Sequence, residues 1–458
     1  MAMSSADDLE PDLDFLAYYG LRKLLIGVLP HPFCNPAVKG CGFCTFPHEP
    51  GNSGKSEQVV EAVIGEIRGR LKIQEDLQQR PVTALYFGGG TANLTAPAAF
   101  EKLCRALASS FDFSQAEVTL EGVPGNFLRE PLLIDIMREH LPARRHRISM
   151  GIQSFAEPWL KKMGRLAFGD GETFRRVVEL AHSRGLTISG DLLFNLPGQT
   201  LPEMHDDLRL ATEIGLDQIG LYHLVLFERL GTEWSRDPEL IAKLPSNEQA
   251  AENWGALRES LLAGDFYQAT LTNFERVRFR HQPERFIYEE KSFRPQDYSM
   301  LGFGPGAISS MLSHEWEVGI KTQNPVGARE YMLAVEKDQR VWNKYFTYDK
   351  RDVRVGFLTR WLSALKVYRS NYRALFRSDA VADFRAECGA LVTAGLIEVD
   401  GDSLRPTPRG MFYADSIAAL LAWKQVRVRR AQPPPPLPSY LMLDRTSYLN
   451  DSARHSMG

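Results

Sequence analysis

Six short apolar runs, separated by stretches with helical periodicity, limit this chain to few folds. The runs span residues 24–29, 82–87, 117–122, 147–153, 187–194 and 218–224. Apolar residues recur at helical spacing between them, which predicts helices over 57–77, 97–110, 131–141, 171–184 and 202–214. Each helix must cover one face of a sheet, so the alternation predicts parallel strands with helices outside. A closed barrel of this kind needs eight units. Six units predict an α/β fold built on a partial (β/α)6 barrel of TIM type, open on one side.

Glycine and polar residues follow several of these runs at the point where each strand is predicted to end. In barrels of this type the chemistry lies at the carboxyl ends of the strands. A loop with three cysteines, a Gly-Gly-Gly-Thr turn at 88–91, Glu121, Gln153 and Asp191 all fall there. Three glycines let a backbone approach a ligand closely, and no Walker motif follows them. The sequence therefore predicts a functional site at this rim.

The cysteine loop carries three of the five cysteines, Cys34, Cys41 and Cys44, among Pro, Gly and Asn residues. Such a loop can wrap its thiolates around one centre. A structural zinc site uses four closed ligands, whereas iron–sulfur clusters are another destination of clustered thiolates. Four irons held by three cysteines leave one iron without a protein ligand, free to bind a small molecule. The loop therefore indicates a catalytic centre more than a structural one.

Two other interpretations of the cysteines stay open. A disulfide needs an oxidising compartment, and the N-terminal residues do not resemble a secretion signal. Zinc could be completed by His31 or His48, which flank the loop. Cys104 and Cys388 fall alone in predicted helices, where we expect small buried apolar residues. This use of cysteine predicts a cytoplasmic protein.

The length and the net charge of the chain limit its domain organisation and its binding partners. A chain of 458 residues exceeds the usual size of one domain. We expect an N-terminal arm (1–18), a partial-barrel domain (19–245), a second domain (246–430) and a disordered Pro-rich tail (431–458). The net charge of −3 argues against nucleic-acid or anionic-membrane binding. No apolar run reaches membrane-spanning length.

The second domain is predicted to be mixed α/β. From residue 247 the alternation of apolar runs and helical patterns stops, and helix-like stretches alternate with loops. A later part resembles a winged helix, with a helix over 381–394, a strand over 395–399, a hairpin turn at 400–401 and a helix over 407–423. The first of these helices carries Asp383, Glu387 and only Arg385 as a base, so DNA readout is not expected.

Taken in order, the motifs resemble one enzyme family. The series is the cysteine loop with Phe43 before its last thiolate, then YFGGGT (86–91), TLE (119–121), RISMGIQSF (147–155), DLLFNLPGQT (191–200) and LGFGPGAIS (301–309). It is similar to the radical S-adenosylmethionine (SAM) enzymes, in the branch typified by oxygen-independent coproporphyrinogen III oxidase. The ordered series is more specific than any single motif.

The resemblance implies a [4Fe–4S] cluster on Cys34, Cys41 and Cys44, whose open iron binds SAM, and it implies one or two SAM molecules. Glu121 joins the cysteines as a catalytic candidate. The positions that match SAM contacts in the family are Phe43, Gly89, Gly90, Thr91, Glu121, Gln153, Arg165, Asp191 and Ile308. Carboxylates suit ribose hydroxyls or an ammonium group, and an arginine suits a carboxylate.

Two positions depart from the family pattern. Six residues separate Cys34 from Cys41, where the relatives usually have three, and two separate Cys41 from Cys44. Val28 stands where the porphyrinogen oxidases carry a tyrosine that touches SAM. These differences weaken an assignment to haem synthesis.

We therefore expect methyl transfer or cyclopropane formation on a small-molecule natural product. The alternatives are oxidative decarboxylation of coproporphyrinogen III, a haem chaperone and a zinc-binding interaction module. The expected partners are the substrate, an electron donor such as flavodoxin or ferredoxin, and a partner methyltransferase. Candidates for substrate selectivity are Tyr222, His223, Arg278, Arg285, Tyr288 and Trp316.

Overall fold

The computed structural model describes residues 22–34, 41–50, 53–228, 230–337 and 341–431. The predicted N-terminal arm (1–18) and nearly all of the predicted Pro-rich tail (432–458) lie outside the described residues. So do residues 35–40, between the first two cysteines.

The predicted parallel strands form the centre of one large sheet. The strands up to residue 223 are β1 (Lys23–Val28), β2 (Phe33–Cys34), β3 (Glu49–Pro50), β4 (Val82–Phe87), β5 (Glu117–Gly122), β6 (Arg145–Gln153), β7 (Thr187–Phe194) and β8 (Gln218–His223). Strands β1 and β4 to β8 are parallel and adjacent in that order. Leu24, Leu25 and Ile26 are fully buried because the sheet is covered on both faces. The predicted (β/α)6 arrangement is confirmed.

Helices connect these strands where the apolar periodicity predicts them, together with one short helix over 157–162 that was not predicted. They are α1 (Ser53–Ile73), α2 (Pro97–Ser110), α3 (Leu133–His140), α4 (Glu157–Lys162), α5 (Gly171–Ser183) and α6 (Leu201–Glu213). Their starts are set by local chemistry: the Asp170 side chain accepts the Thr173 N–H at α5, and Thr200 and Glu203 form a capping box at α6. Helix α1 buries Val59, Val63 and Ile67 in the main core.

The predicted mixed α/β character of the second domain is confirmed, but the expectation of helix-like stretches and loops after residue 247 missed several strands. The elements are α7 (Pro238–Ala242), α8 (Asn247–Ala263), β9 (Phe266–Gln268), β10 (Asn273–Arg276), α9 (Tyr288–Ser292), β11 (Tyr298–Phe303), β12 (Ile308–Ser313), β13 (Val318–Gln323), α10 (Ala328–Glu336) and β14 (Lys344–Tyr348). Strand β11 pairs in parallel with β1, and β12 to β14 and β10 to β9 extend the two sides of the sheet in antiparallel pairs. The partner of β11 lies 275 residues earlier in the chain (Lys23 pairs with Tyr298), so local periodicity could not reveal this pairing. The edges of the sheet, β14 and β9, are not paired with each other within the described residues.

The last part of the described chain forms a second apolar core. Its elements are α11 (Lys350–Ser363), β15 (Val367–Tyr368), α12 (Arg369–Phe376), α13 (Ala380–Asp383), α14 (Arg385–Thr393), β16 (Ile397–Asp400), β17 (Ser403–Pro406), α15 (Pro408–Phe412) and α16 (Ala414–Ala431). The predicted helix over 381–394 is broken at Phe384, which is fully buried in this core. The predicted last helix is likewise divided, at Tyr413. The winged-helix-like order of helices and hairpin is otherwise present. The domain boundaries stay predictions.

None of the described helices is both long and apolar enough to cross a lipid bilayer.

Candidate functional site

The three cysteines of the loop lie near one another at the carboxyl end of the sheet. Cys34 ends β2, which pairs with β3, and Cys41 and Cys44 follow in the same loop; all three are free thiols and partly buried. Burial raises the pKa of Cys34 to about 11, although a hydrogen bond with Thr91 acts in the opposite direction, and the neighbouring Cys44 and Cys41 raise it further. Burial also raises the pKa of Cys44, and Cys41 contributes to that rise. The influence of Cys41 and Cys44 on Cys34, and of Cys41 on Cys44, places the three sulfurs within electrostatic reach of one another, and we call them one electrostatic unit.

The histidines beside the loop have other partners, which argues against the zinc interpretation. His31 is buried, its Nδ1 accepts the Phe33 N–H at 3.3 Å, and its Nε2 lies 3.2 Å from the Thr95 hydroxyl. Burial lowers the pKa of His31 to about 4, so the ring is neutral at pH 7. Nδ1 of His48 lies 3.0 Å from the Phe46 carbonyl oxygen at an exposed position. Among the residues that the structure describes, no three His, Cys, Asp or Glu side chains converge on a point that would suit a single ion. A multi-iron cluster spreads its thiolate ligands further apart and suits this donor set better.

The Gly-Gly-Gly-Thr turn packs against the chain that enters the cysteine loop. Gly88 donates its N–H to the Val28 carbonyl at 3.0 Å. Gly89 has a φ of +110°, and a Cβ on Gly90 would lie 3.0 Å from the carbonyl oxygens of both Pro32 and Phe33. Such close approach requires glycine at these positions. The turn therefore fixes the path of the backbone that leads to Cys34.

Thr91 ends this turn and links it to the first cysteine. Its hydroxyl donates to the Gly90 carbonyl at 2.7 Å and forms a hydrogen bond with Cys34. The side chain is buried. Thr91 thus contacts a proposed cluster ligand directly.

Arg165 lies at the cysteines and not on the surface. It is 6% exposed, and its guanidinium donates one hydrogen bond to Cys41 Sγ at 3.1 Å and another to the Gly151 carbonyl. The same group lies 4.9 Å from the centre of the Phe168 ring. Gln153, with a φ of +73°, places its amide beside Gly151 as well. Gln153 and Arg165, which are both predicted to contact SAM, therefore both lie beside Gly151 near the end of β6.

Glu121 lies one residue before the end of β5, whereas Asp191 lies inside β7, three residues before its end and not at the strand end as predicted. Neither carboxylate has an ion pair to any described residue. Burial raises the pKa of Glu121 to about 7, although Tyr86 donates a hydrogen bond to it. Burial, then Glu121 and Glu289, raise the pKa of Asp191 to about 8. Gly220 on the neighbouring strand leaves room for the Asp191 carboxylate, because a Cβ there would overlap it. Such carboxylates can accept hydroxyl hydrogen bonds or balance a cation.

Phe43 and Ile308 differ in how the structure holds them. Phe43 packs edge-on against Trp234, with ring centroids 5.8 Å apart, in an apolar cluster with Met163 and Leu196. Ile308 begins β12, and its side chain is 42% exposed. Its contact with SAM stays a prediction.

Below the rim, the inside of the sheet encloses a polar cavity of about 180 Å³. Its lining residues are Tyr86, Ser149, Ser189, Asp191, Gln218, Tyr222, Asn273, Phe286, Tyr288, Glu289 and Ser292. Glu289 was missed by sequence reasoning; it accepts hydrogen bonds from Thr270 at 2.7 Å and from Asn273. No periodic pattern marks the short helix α9 that carries it, so the sequence held no signal for it.

Two of the six candidates for substrate selectivity line this cavity. Tyr222 and Tyr288 line it. His223 packs between Phe194 and Phe412. The remaining candidates lie elsewhere: Arg278 pairs with Asp217, Arg285 pairs with Glu290 at 2.9 Å, and Trp316 is 53% exposed.

Comparison with known proteins places this geometry in a family. The model of the radical SAM superfamily matches residues 28–211. The haem chaperone HemW of Escherichia coli (strain K12) is 30% identical over 323 residues, which cover 69% of this chain and 79% of the relative. The chain belongs to the radical SAM superfamily. Within it, the resemblance to the HemN-like branch is confirmed.

Two further relatives of this radical SAM protein span most of its length. The oxygen-independent coproporphyrinogen III oxidase of Synechocystis sp. (strain PCC 6803) is 24% identical over 410 residues, covering 85% of this chain and 83% of the relative. The solved coproporphyrinogen III oxidase (HemN) of Escherichia coli covers 89% of this chain and 92% of its own, with a TM-score of 0.73 at 21% identity. This likeness supports the fold through both apolar cores.

Radical SAM enzymes use a [4Fe–4S] cluster and SAM, and these are the cofactors of this chain. The trio of free thiols at the rim suits the cluster, and the carboxylates and arginine beside it suit a ligand with both charges.

Proposed function

We propose that this radical SAM enzyme holds its cluster on Cys34, Cys41 and Cys44 and acts oxidatively on a tetrapyrrole of the porphyrinogen type. The observation that carries the proposal is the electrostatic unit of three thiols at the carboxyl end of the sheet, with Arg165 hydrogen-bonded to Cys41 at 3.1 Å. When bound, the cluster supplies the electron that cleaves SAM to methionine and a 5'-deoxyadenosyl radical. The chain's own residues bind, orient and neutralise the groups involved.

Ligand binding begins with loss of the thiol protons. Burial raises the pKa of Cys34 and Cys44, so assembly of the cluster releases protons and is favoured by the nearby Arg165 guanidinium. The hydrogen bond between Thr91 and Cys34 acts against this rise of the Cys34 pKa and so favours the thiolate. Three ligands leave one coordination site for SAM.

We assign different residues at the rim to different parts of the SAM molecule. Arg165 has paired N–H donors that suit the SAM carboxylate. The backbone of Gly89 and Gly90, with Thr91, faces the methionine part. We assign Glu121, Gln153 and Asp191 to the ribose and to the positive charge of the sulfonium.

Two apolar residues complete the assignment. Phe43 covers the ligand from the cluster loop, and Ile308 contacts it from β12. Asp191 also lines the polar cavity of about 180 Å³, so this cavity adjoins the site that we assign to SAM.

The names of the long matches support a tetrapyrrole substrate. They are a coproporphyrinogen III oxidase and a haem chaperone. Methyl transfer and cyclopropane formation, which the sequence led us to expect, have no support from these relatives, and neither does a partner methyltransferase. Radical SAM enzymes need a reductant, and we propose flavodoxin or ferredoxin for that role. Oxidative decarboxylation of a porphyrinogen propionate therefore becomes the leading reaction. In it the 5'-deoxyadenosyl radical would take one hydrogen atom from the propionate, and the electron left when carbon dioxide departs would pass to a one-electron acceptor, leaving a vinyl group.

Haem delivery is the second candidate. The observation in its favour is the 30% identity with HemW over 79% of that protein. A haem carrier would bind haem strongly and form no 5'-deoxyadenosine in its presence. Titration of the protein with haem, read by absorbance, separates the two.

The decisive experiment is an anaerobic assay with SAM, dithionite and coproporphyrinogen III, read by mass. We expect 5'-deoxyadenosine and a product that has lost carbon dioxide. Cys34→Ala, Cys41→Ala and Cys44→Ala should each abolish both products, together with most of the bound iron. Cys104→Ala, which changes a fully buried cysteine in α2, is the matched control and should keep them. Transfer of labelled SAM methyl carbon to the product, or activity that survives loss of Cys34, would contradict the proposal.

A further inference from the structure

Trp234 contacts the cysteine loop from a segment to which no sequence motif drew attention. Its backbone N–H donates to the Gly42 carbonyl at 3.0 Å. Its indole lies against the Cα of Gly42, where a Cβ would overlap the ring. Gly42 has a φ of +73°, a conformation that favours glycine. The residue between Cys41 and Phe43 is therefore shaped to accept this tryptophan.

The same ring also fixes the side chain that precedes Cys44. Phe43 meets Trp234 edge-on, with an interplanar angle of 66°. Both rings belong to an apolar cluster with Met163, Leu224 and Leu240. Only 4% of Trp234 is exposed. The indole thus covers the loop at Gly42 and Phe43.

Trp234 is itself held on both sides by its own segment. The Thr232 hydroxyl accepts the Ser235 N–H at 3.2 Å, and the Ser235 hydroxyl donates to the Thr232 carbonyl at 2.8 Å. Asp237 donates its N–H to the Trp234 carbonyl at 3.2 Å and caps the start of α7. Lys243, after α7, accepts the Gly198 N–H at 2.8 Å at the end of β7. A chain of short contacts therefore ties the tryptophan to the sheet.

We propose that Trp234 is a positioning residue, which holds Cys41 and Cys44 at the spacing that the cluster requires and shields that side of the loop from water. It acts through Gly42 and Phe43 and touches no reacting atom. The inference rests on the proposed cluster ligands. Its first test needs no cluster, so the two proposals can fail separately.

The first test measures how fast iodoacetamide alkylates Cys41 and Cys44 in the full-length protein without cluster, with the sites identified by mass spectrometry. Trp234→Ala should speed alkylation of both cysteines about tenfold, because the loop opens more often, and Trp234→Phe should have a smaller effect in the same direction. Cys104, fully buried in α2, is the internal reference and should stay unreactive. Trp254→Phe is the matched control, since Trp254 is also 4% exposed but packs between Phe194 and Phe274 in the main core.

The second test follows the reconstituted enzyme. We expect Trp234→Ala to lose its iron–sulfur absorbance in air about tenfold faster than the wild-type protein and to show an altered EPR spectrum of the reduced cluster with SAM. Trp254→Phe should lower the unfolding temperature without either change. The proposal is overturned if the alkylation rates and cluster lifetimes of the Trp234 variants match those of Trp254→Phe. If Trp234→Ala does not fold, the same rates and lifetimes are compared between Trp234→Phe and Trp254→Phe.

Discussion

Acidic side chains near the two ends of the parallel strands β5, β7 and β8 have opposite surroundings. In the carboxyl-terminal halves, Glu121 of β5 and Asp191 of β7 have pKa values raised by burial to about 7 and about 8. At the amino ends, Glu117 and Asp217 are more deeply buried, at 0% and 3% exposed, but each has an arginine partner. The same residue types in one sheet thus serve two purposes.

The amino-end carboxylates are satisfied by the protein itself. Glu117 accepts hydrogen bonds from Arg145 at 3.1 Å and from the N–H groups of Ile287 and Tyr288. For Asp217, burial pushes the pKa up, but hydrogen bonds from His182, Ile188 and Arg278 hold it below its usual value. A buried charge with its own partners stabilises the fold, whereas one without them is costly unless a ligand arrives. The contrast points to the rim as the place where a ligand completes the charge balance.

The largest expected effect is on stability and comes from removing a buried carboxylate at the amino end of a strand. Glu117→Ala would leave the Arg145 guanidinium, whose side chain is 14% exposed, without its carboxylate partner. We expect the free energy of unfolding to fall by about 3 kcal/mol, measured by urea denaturation, while the dissociation constant of SAM stays unchanged. Glu101→Ala removes the exposed partner of Arg105 and should cost about 0.5 kcal/mol. Equal losses in the two variants would show that Glu117 is not part of the structural charge network.

A smaller effect, in binding rather than stability, is expected at the rim. Asp191→Asn removes a carboxylate whose burial is unfavourable, so the unfolding free energy at pH 8.5 or above should stay the same or rise. Loss of a charged acceptor should weaken SAM binding about tenfold, measured by calorimetry on the reconstituted enzyme. Asp217→Asn is the matched control and should show the reverse, lower stability and unchanged affinity. A rim variant that loses stability but binds SAM normally would remove the distinction between the two ends.

The sequence predicted the centre of the fold well because each of its strands is a run of apolar residues, the pattern expected of a strand that is buried on both faces. Strands 82–87, 117–122 and 187–194 have the predicted bounds. Strand β13, whose side chains alternate between buried and partly exposed, and β11, whose partner is remote in sequence, gave no such pattern. Their positions depend on pairings that local periodicity does not encode.

The site was predictable where its chemistry is concentrated in short motifs. The cysteines, the glycine turn, Glu121 and Asp191 stand out because thiols, glycine triplets and carboxylates follow apolar strands. Trp234 and Glu289 could not be found this way, since each comes from a short irregular segment placed by tertiary packing. From sequence alone, an isolated tryptophan is predicted to be a core residue and an isolated glutamate a surface residue. Their contacts become known only from the fold.

The smallest expected effect is the pH dependence of SAM binding, which follows from the raised pKa values of Glu121 and Asp191. Each carboxyl group loses its proton as the pH rises through about 7 and about 8. The SAM sulfonium is positive at every pH, so it favours the deprotonated forms and its binding releases protons. The affinity should therefore increase with pH, by about fivefold between about pH 6 and about pH 9, as measured by calorimetry in two buffers of different ionisation enthalpy. Asp191→Asn should lose the upper part of this rise, whereas Asp217→Asn should keep all of it, because Asp217 is ionised throughout. An affinity that is flat or falls over this range would mean that the rim carboxylates do not face the positive part of SAM.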